Sequence, residues 1–146
     1  MRTTPPGPPA VRQLRAVRDF APIDLDLFTS TTDPMVIAFH TSVLLHQGRP
    51  EALTLQSLQQ RWGTSKVRAS AARRALIDLG YWAEVRKRVS GGQLANETVM
   101  GEARFTRESL RELAAQYPPS SLIECGGKSF TVSTGGGLVD VVRGGA

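Results

Sequence analysis

Thiols and imidazoles are nearly absent from this chain: its 146 residues include one cysteine, Cys125, and two histidines, His40 and His46. A lone thiol excludes an internal disulfide and any zinc site built from several cysteines, and it fits a reducing compartment. His40 and His46 stand six positions apart in a helical stretch, on different faces, whereas a helical metal pair needs a spacing of about three or four. Neither a metal nor another cofactor is expected. Long apolar runs are missing too, none approaching the roughly eighteen residues that a membrane helix requires. The N-terminal segment, MRTTPPGPPAVRQLRAVRDF, lacks the continuous apolar stretch of a secretory signal. The expectation is a soluble cytoplasmic protein with no membrane partner. Converging carboxylates and nucleophile–base pairs are missing as well, so an enzyme is not expected.

Proline, glycine and positive charge, by contrast, are plentiful and unevenly placed. Pro5-Pro6-Gly7-Pro8-Pro9 opens the chain and Gly135-Gly136-Gly137 lies near its close. Sequence of this kind buries little apolar surface. Composition therefore divides the chain into a flexible Pro/Arg-rich arm over 1–18, one folded domain over 19–117 and a flexible Gly/Ser/Pro-rich tail over 118–146. The arm carries Arg12, Arg15 and Arg18, which suits either a solvated segment or one that touches DNA phosphate. Between Arg61 and Arg88 eight cations face only Asp78 and Glu84. That surplus of six exceeds the net +5 of the whole chain, so the remainder is acidic by one. Charge this local is the electrostatic footprint of a nucleic-acid surface.

The patterning predicts the following elements. Alternation over 19–30 suggests a short strand near residues 20–23, with Leu25, Leu27 and Phe28 packing on the core. Asp33 as N-cap and Pro34 in the first turn start a helix that Gly48 and Pro50 end, with Met35, Val36, Phe39, Val43 and Leu44 on one face. Thr54 caps a second, short helix whose apolar face is Leu55, Leu58 and Trp62. Gly63 ends it, and Thr64-Ser65 start a third helix that runs to about residue 79 and stops at Gly80. A tight glycine-containing turn between a short helix and a longer one is the signature of a helix-turn-helix.

On the third helix Val67, Ala71, Ala72, Ala75, Leu76 and Leu79 share one broad apolar face, which leaves Lys66, Ser70, Arg73, Arg74 and Ile77 pointing the other way. An outward face with three cations and no acid suits the phosphates that flank a major groove, and arginine can also take two acceptors on a guanine edge. Residues near the start of such a helix reach deepest. Thr64, Ser65, Lys66, Arg68, Ser70, Arg73 and Arg74 are therefore the candidate DNA contacts. The plainer reading is a solubilising basic face.

Residues 81–89 alternate again, Ser90-Gly91-Gly92 is turn chemistry, and residues 98–105 return. The expected hairpin has a polar tip over 90–96 and adds Arg86, Lys87, Arg88, Gln93 and Asn96 as contacts to backbone or minor groove. Thr106 caps a last short helix bearing Leu110 and Leu113, which closes the core or offers a dimer surface. Gly127-Lys128-Ser129 looks like the end of a phosphate-binding loop, but Leu122 stands where that motif needs glycine, and it is set aside.

Together these elements predict a mainly α protein with a small β-hairpin: a winged helix-turn-helix with a three-helix core and a two- to three-stranded wing. The stretch LTLQSLQQRWGTSKVRASAARRALIDLGYW, with a basic strand, a Gly-Gly turn and ETVMGEARF, resembles winged helix-turn-helix proteins of actinobacterial type. These include GntR- and MarR-like regulators and the N-terminal domains of phage-type replication proteins. The phrase that carries the resemblance is Ala72-Arg73-Arg74-Ala75-Leu76-Ile77-Asp78-Leu79-Gly80-Tyr81, and the resemblance as a whole covers roughly residues 20–105. It implies sequence-specific binding of double-stranded DNA by a nucleoid-associated homodimer that regulates transcription. Recognition of a replication, plasmid or phage origin is one alternative. A winged-helix module that binds protein, with the tails as further partner surfaces, is the other.

Overall fold

The computed structural model describes residues 23–46, 54–88, 92–101 and 103–141. The arm over 1–18 and the strand expected near residues 20–23 lie wholly or largely outside them, as do Gly48, Pro50 and the hairpin tip over 89–91. Among the described residues five helices and five strands follow in the order α1 (Leu25–Ser30), α2 (Pro34–His46), α3 (Leu55–Trp62), α4 (Lys66–Leu79), β1 (Trp82–Arg88), β2 (Leu94–Met100), α5 (Arg107–Ala114), β3 (Leu122–Cys125), β4 (Lys128–Val132) and β5 (Leu138–Asp140).

Side chains fix most helix ends. Asp24 caps α1 by accepting from the Asp26 amide, which places Leu25, Leu27 and Phe28 on that helix. Leu27 alone of the three is buried. Asp33 accepts from the Met35 amide at 2.9 Å and starts α2. Thr54 and Ser57 form a reciprocal capping box at α3, and Thr106 and Ser109 repeat it at α5, each satisfying amides that a helix start leaves open.

The largest departure from the expected fold is the sheet. All five strands pair antiparallel in the order β2-β1-β3-β4-β5. A mainly α winged helix-turn-helix with a two- to three-stranded wing is therefore not the architecture of this chain. The strands that make the difference lie within 118–141, which composition had assigned to a flexible tail. Its glycines are turns. Gly126 and Gly127 both have positive φ, 64° and 75°, the two-residue geometry that joins neighbouring strands without splaying them. Their strands are only four and five residues long, LIEC and KSFTV, yet they alternate between buried and partly exposed positions.

The sheet divides two apolar clusters. On one face Trp82 joins Leu27, Val36, Phe39, Leu58, Ala69, Ala72, Leu76, Ile77 and Tyr81 from the helical side. On the other, Ala83, Val85, Ile123, Cys125, Phe130 and Val132 meet Leu110, Leu113 and Ala114 of α5. The interior strand β1, paired with β2 and β3, is thus covered on both sides, and residues 81–85 are all buried. Burial on both faces puts Glu84 in the interior as well, and an interior carboxylate requires a charged partner. That requirement decides what the arginines of α4 do.

Candidate nucleic-acid interface

The region read from sequence as a DNA reader is a helix, a short turn and a longer helix. Gly63 closes α3 in the left-handed conformation, with its amide directed at the Gln59 and Gln60 carbonyls. Ser65 caps α4 by accepting from the Arg68 amide at 3.1 Å. Gly80 ends α4 at φ 89°, with its Cα close to that of Gly126, where the Gly126 amide donates to the Ile77 carbonyl at 2.8 Å. Only a residue free to adopt positive φ fits that end. The helix is thereby tied to the α2–α3 side along its length and to the sheet at its C-terminal end.

Its buried arc differs from the one expected. Ala69, Ala72, Leu76 and Ile77 are buried. Ile77 had been placed outward, whereas Val67 (79% exposed) and Ala71, both expected to pack inward, face solvent. The small side chains Ala69 and Ala72 let α4 lie close against its helical neighbours.

The candidate contacts separate into two groups. At the N-terminal half of α4, Ser65, Lys66, Arg68 and Ser70 are exposed, and so are Val67 and Ala71 between them. Arg68 makes one exposed pair with Asp33 at 3.5 Å. Neither Lys66 nor Arg61, at the end of α3, has an ion pair among the described residues. Thr64 is partly buried in the turn.

The C-terminal half is different. Arg73 bonds Glu84 at 3.0 Å, and the Glu84 side chain is only 7% exposed. Arg74 bridges Asp78 at 3.2 Å and Glu124 at 2.9 Å. Burial lowers the Arg74 pKa, but the bond to Glu124 and the charges of Asp78 and Glu124 outweigh it and raise the guanidinium above its ordinary value. Arg86 of β1 lies 3.6 Å from the same Glu84. These three arginines neutralise acids of the sheet, so the outward, acid-free placement expected for Arg73 and Arg74 does not hold.

The hairpin follows the same pattern. Pairing of β1 with β2 extends to Arg88 opposite Leu94, so the polar tip is shorter than the expected 90–96 and Asn96 sits within a strand. Lys87 bonds Glu97 at 3.4 Å and lies 5.5 Å from the centre of the Tyr117 ring. The Tyr117 hydroxyl donates to Glu97 at 3.0 Å. Burial, then that bond and the Glu97 charge, push the Tyr117 pKa up to about 12. Gln93 is exposed. The Arg88 side chain lies outside the described residues.

His40 is fully buried, and its Nδ1 accepts from Trp82 Nε1 at 3.0 Å. Indole nitrogen only donates, so Nδ1 is unprotonated and His40 joins the helical core to the first residue of β1. Among the described residues no three His, Cys, Asp or Glu side chains are grouped so as to hold a metal ion, and no helix is long and apolar enough to cross a membrane. No protein-family model, curated protein or solved structure matches the chain.

Proposed function

We propose that this protein binds double-stranded DNA in a sequence-dependent manner through the exposed N-terminal half of α4, and that it acts as a regulator of transcription. The observation that carries this reading is the solvent face formed by Lys66, Val67, Ser70 and Ala71, directly after a capped turn and without an acidic side chain.

Each member suits a major groove about 12 Å wide that admits one helix. Lys66 and Arg61 supply charge to phosphates and release counterions. Ser70 offers a donor and an acceptor to base edges or phosphate. Val67 and Ala71 present methyl groups of the kind that meet thymine. The amides at the start of α4 add a phosphate site. Arg73, Arg74 and Arg86 hold the sheet in place and stand behind the contact surface.

Selection of random duplex DNA by the full-length protein at moderate salt tests this reading. A consensus is expected, with binding that weakens as salt rises. A palindromic consensus would add a two-fold dimer, and genomic positions at promoters rather than at an origin would favour regulation over replication. Recovery of no enriched sequence would remove the DNA reading and turn attention to an acidic protein partner.

A further inference from the structure

At the opposite end of α4 from Lys66, where that helix meets the β3–β4 hairpin and α5, lies a cavity of about 250 Å³. Phe105, Leu110 and Phe130 are among its lining residues, and Leu110 and Phe130 belong to the buried cluster under α5. Its rim carries three cations, Arg104, Arg107 and Lys128, and no carboxylate lines it. Arg107 is already positioned, bonded to Asp140 at 3.0 Å with its guanidinium carbon 5.8 Å from the centre of the Phe130 ring. Arg104 is steadied by the Ser30 hydroxyl and lies 5.3 Å from the Tyr81 ring centre. Neither Arg104 nor Lys128 has an ion pair among the described residues. One acid therefore balances three bases.

Apolar side chains beside three cations, two of them without an ion pair among the described residues, differ from an ordinary solvated surface, where both signs are interspersed. It is complementary to a molecule with an apolar body and one anionic end. The geometry points to a binding site for a small organic carboxylate, aromatic or short aliphatic, with its body on Phe105, Leu110 and Phe130 and its carboxylate between Arg104 and Lys128. The volume limits the class. Sites for drug-sized ligands occupy roughly 300–1,000 Å³, so this one takes a single ring or a short chain. Guanidinium bound to carboxylate forms paired, charge-assisted hydrogen bonds, while the lysine contributes a point charge. Cys125 also lines the cavity, with its thiol 3.7 Å from the Gly80 carbonyl.

This inference does not depend on the DNA reading. Its test is calorimetric titration of the full-length protein with sodium phenylacetate, hexanoate and acetate, beside neutral phenylacetamide. Phenylacetate or hexanoate is expected to bind saturably and to shift the Leu110 methyl resonances. Phenylacetamide should bind about tenfold more weakly, and Lys128→Gln or Arg104→Gln should each weaken the carboxylate by about the same factor. Lys128 is exposed and has no ion pair among the described residues, so Lys128→Gln leaves the fold intact and any loss reports on binding. Equal binding of acid and amide would reduce the site to an apolar patch and overturn the proposal. So would carboxylate binding unchanged in both variants, or the absence of saturation by any of the three acids below about 10 mM.

Discussion

Lys66 and Arg73 belong to one helix and stand two turns apart, which places them on nearly the same angular stripe. Lys66 is exposed and has no ion pair among the described residues, while Arg73 is held by a buried carboxylate 3.0 Å away. The difference is axial. The Arg73 end of α4 runs over β1 and β3, where Glu84 and Glu124 await it; the Lys66 end extends past them. Identical charge therefore has two settings along one helix: counter-ion to an interior acid at one end, exposed to solvent at the other.

The sharpest way to break this comparison is to remove Arg73. Arg73→Ala leaves Glu84 buried with Arg74 at 4.0 Å and Arg86 at 3.6 Å as its remaining cations. Loss of one partner of a buried pair costs about 3–5 kcal/mol. Partial exposure of Arg73 and the two guanidiniums that stay reduce this to about 2 kcal/mol. Chemical denaturation should show that loss, while DNA affinity of the folded fraction stays within about twofold. A stable Arg73→Ala protein with lost affinity would reverse the roles assigned to the two ends.

Alkali probes the sheet side through Cys125 and Tyr117. Burial pushes the Cys125 thiol up to about 11 from 9.0, and Tyr117 is pushed up to about 12 from 10.0. Both are protonated in either state at neutral pH. As pH rises past the ordinary value, the unfolded chain loses its proton first, so stability falls between pH 9 and 11 for Cys125 and between pH 10 and 12 for Tyr117. A thermal-melting series should show a decline of about 1–3 kcal/mol for the thiol, and Cys125→Ala should abolish its lower part. A flat profile to pH 11 would contradict the burial of Cys125.

Smaller effects belong to the open end. Lys66→Ala should leave stability within about 0.5 kcal/mol. It should weaken duplex binding about fivefold to tenfold at low salt and lower the salt slope by about one. Val67→Ser should also fold normally, because Val67 is 79% exposed. Its expected effect is altered preference at one base pair, by about 1 kcal/mol or less, read from a repeat selection.

How much of this was legible in the sequence depends on how local each signal is. Thr54, Ser65, Gly63, Gly80 and Thr106 mark helix ends by chemistry confined to a few residues, and the structure places those ends where the residues indicate. The face of α4 was misjudged because a helical wheel records angle and ignores what lies beyond each end. The stripe Lys66, Ser70, Arg73 and Ile77 was read as uniformly outward, yet its second half is covered by a sheet. That sheet stayed hidden because β3, β4 and β5 are short and Gly-rich turns separate them, so composition resembled a tail. Two local signals pointed the other way: the alternation in Ile123, Cys125, Phe130 and Val132, and Gly126-Gly127 between them. Of the interface, Lys66, Arg68 and Ser70 are exposed as expected. Val67 and Ala71 were missed because apolar residues on an amphipathic helix default to the core.

The measurement that tests the two-ended helix most directly is a titration of the isotope-labelled protein with a selected duplex, followed at backbone amides and at arginine Nε–Hε groups. The predicted result is amide shifts confined to residues 61–71, with the Arg73 and Arg74 Hε signals unchanged and still bound to their acids. Release of those arginines, or shifts centred on the sheet with residues 61–71 silent, would contradict it.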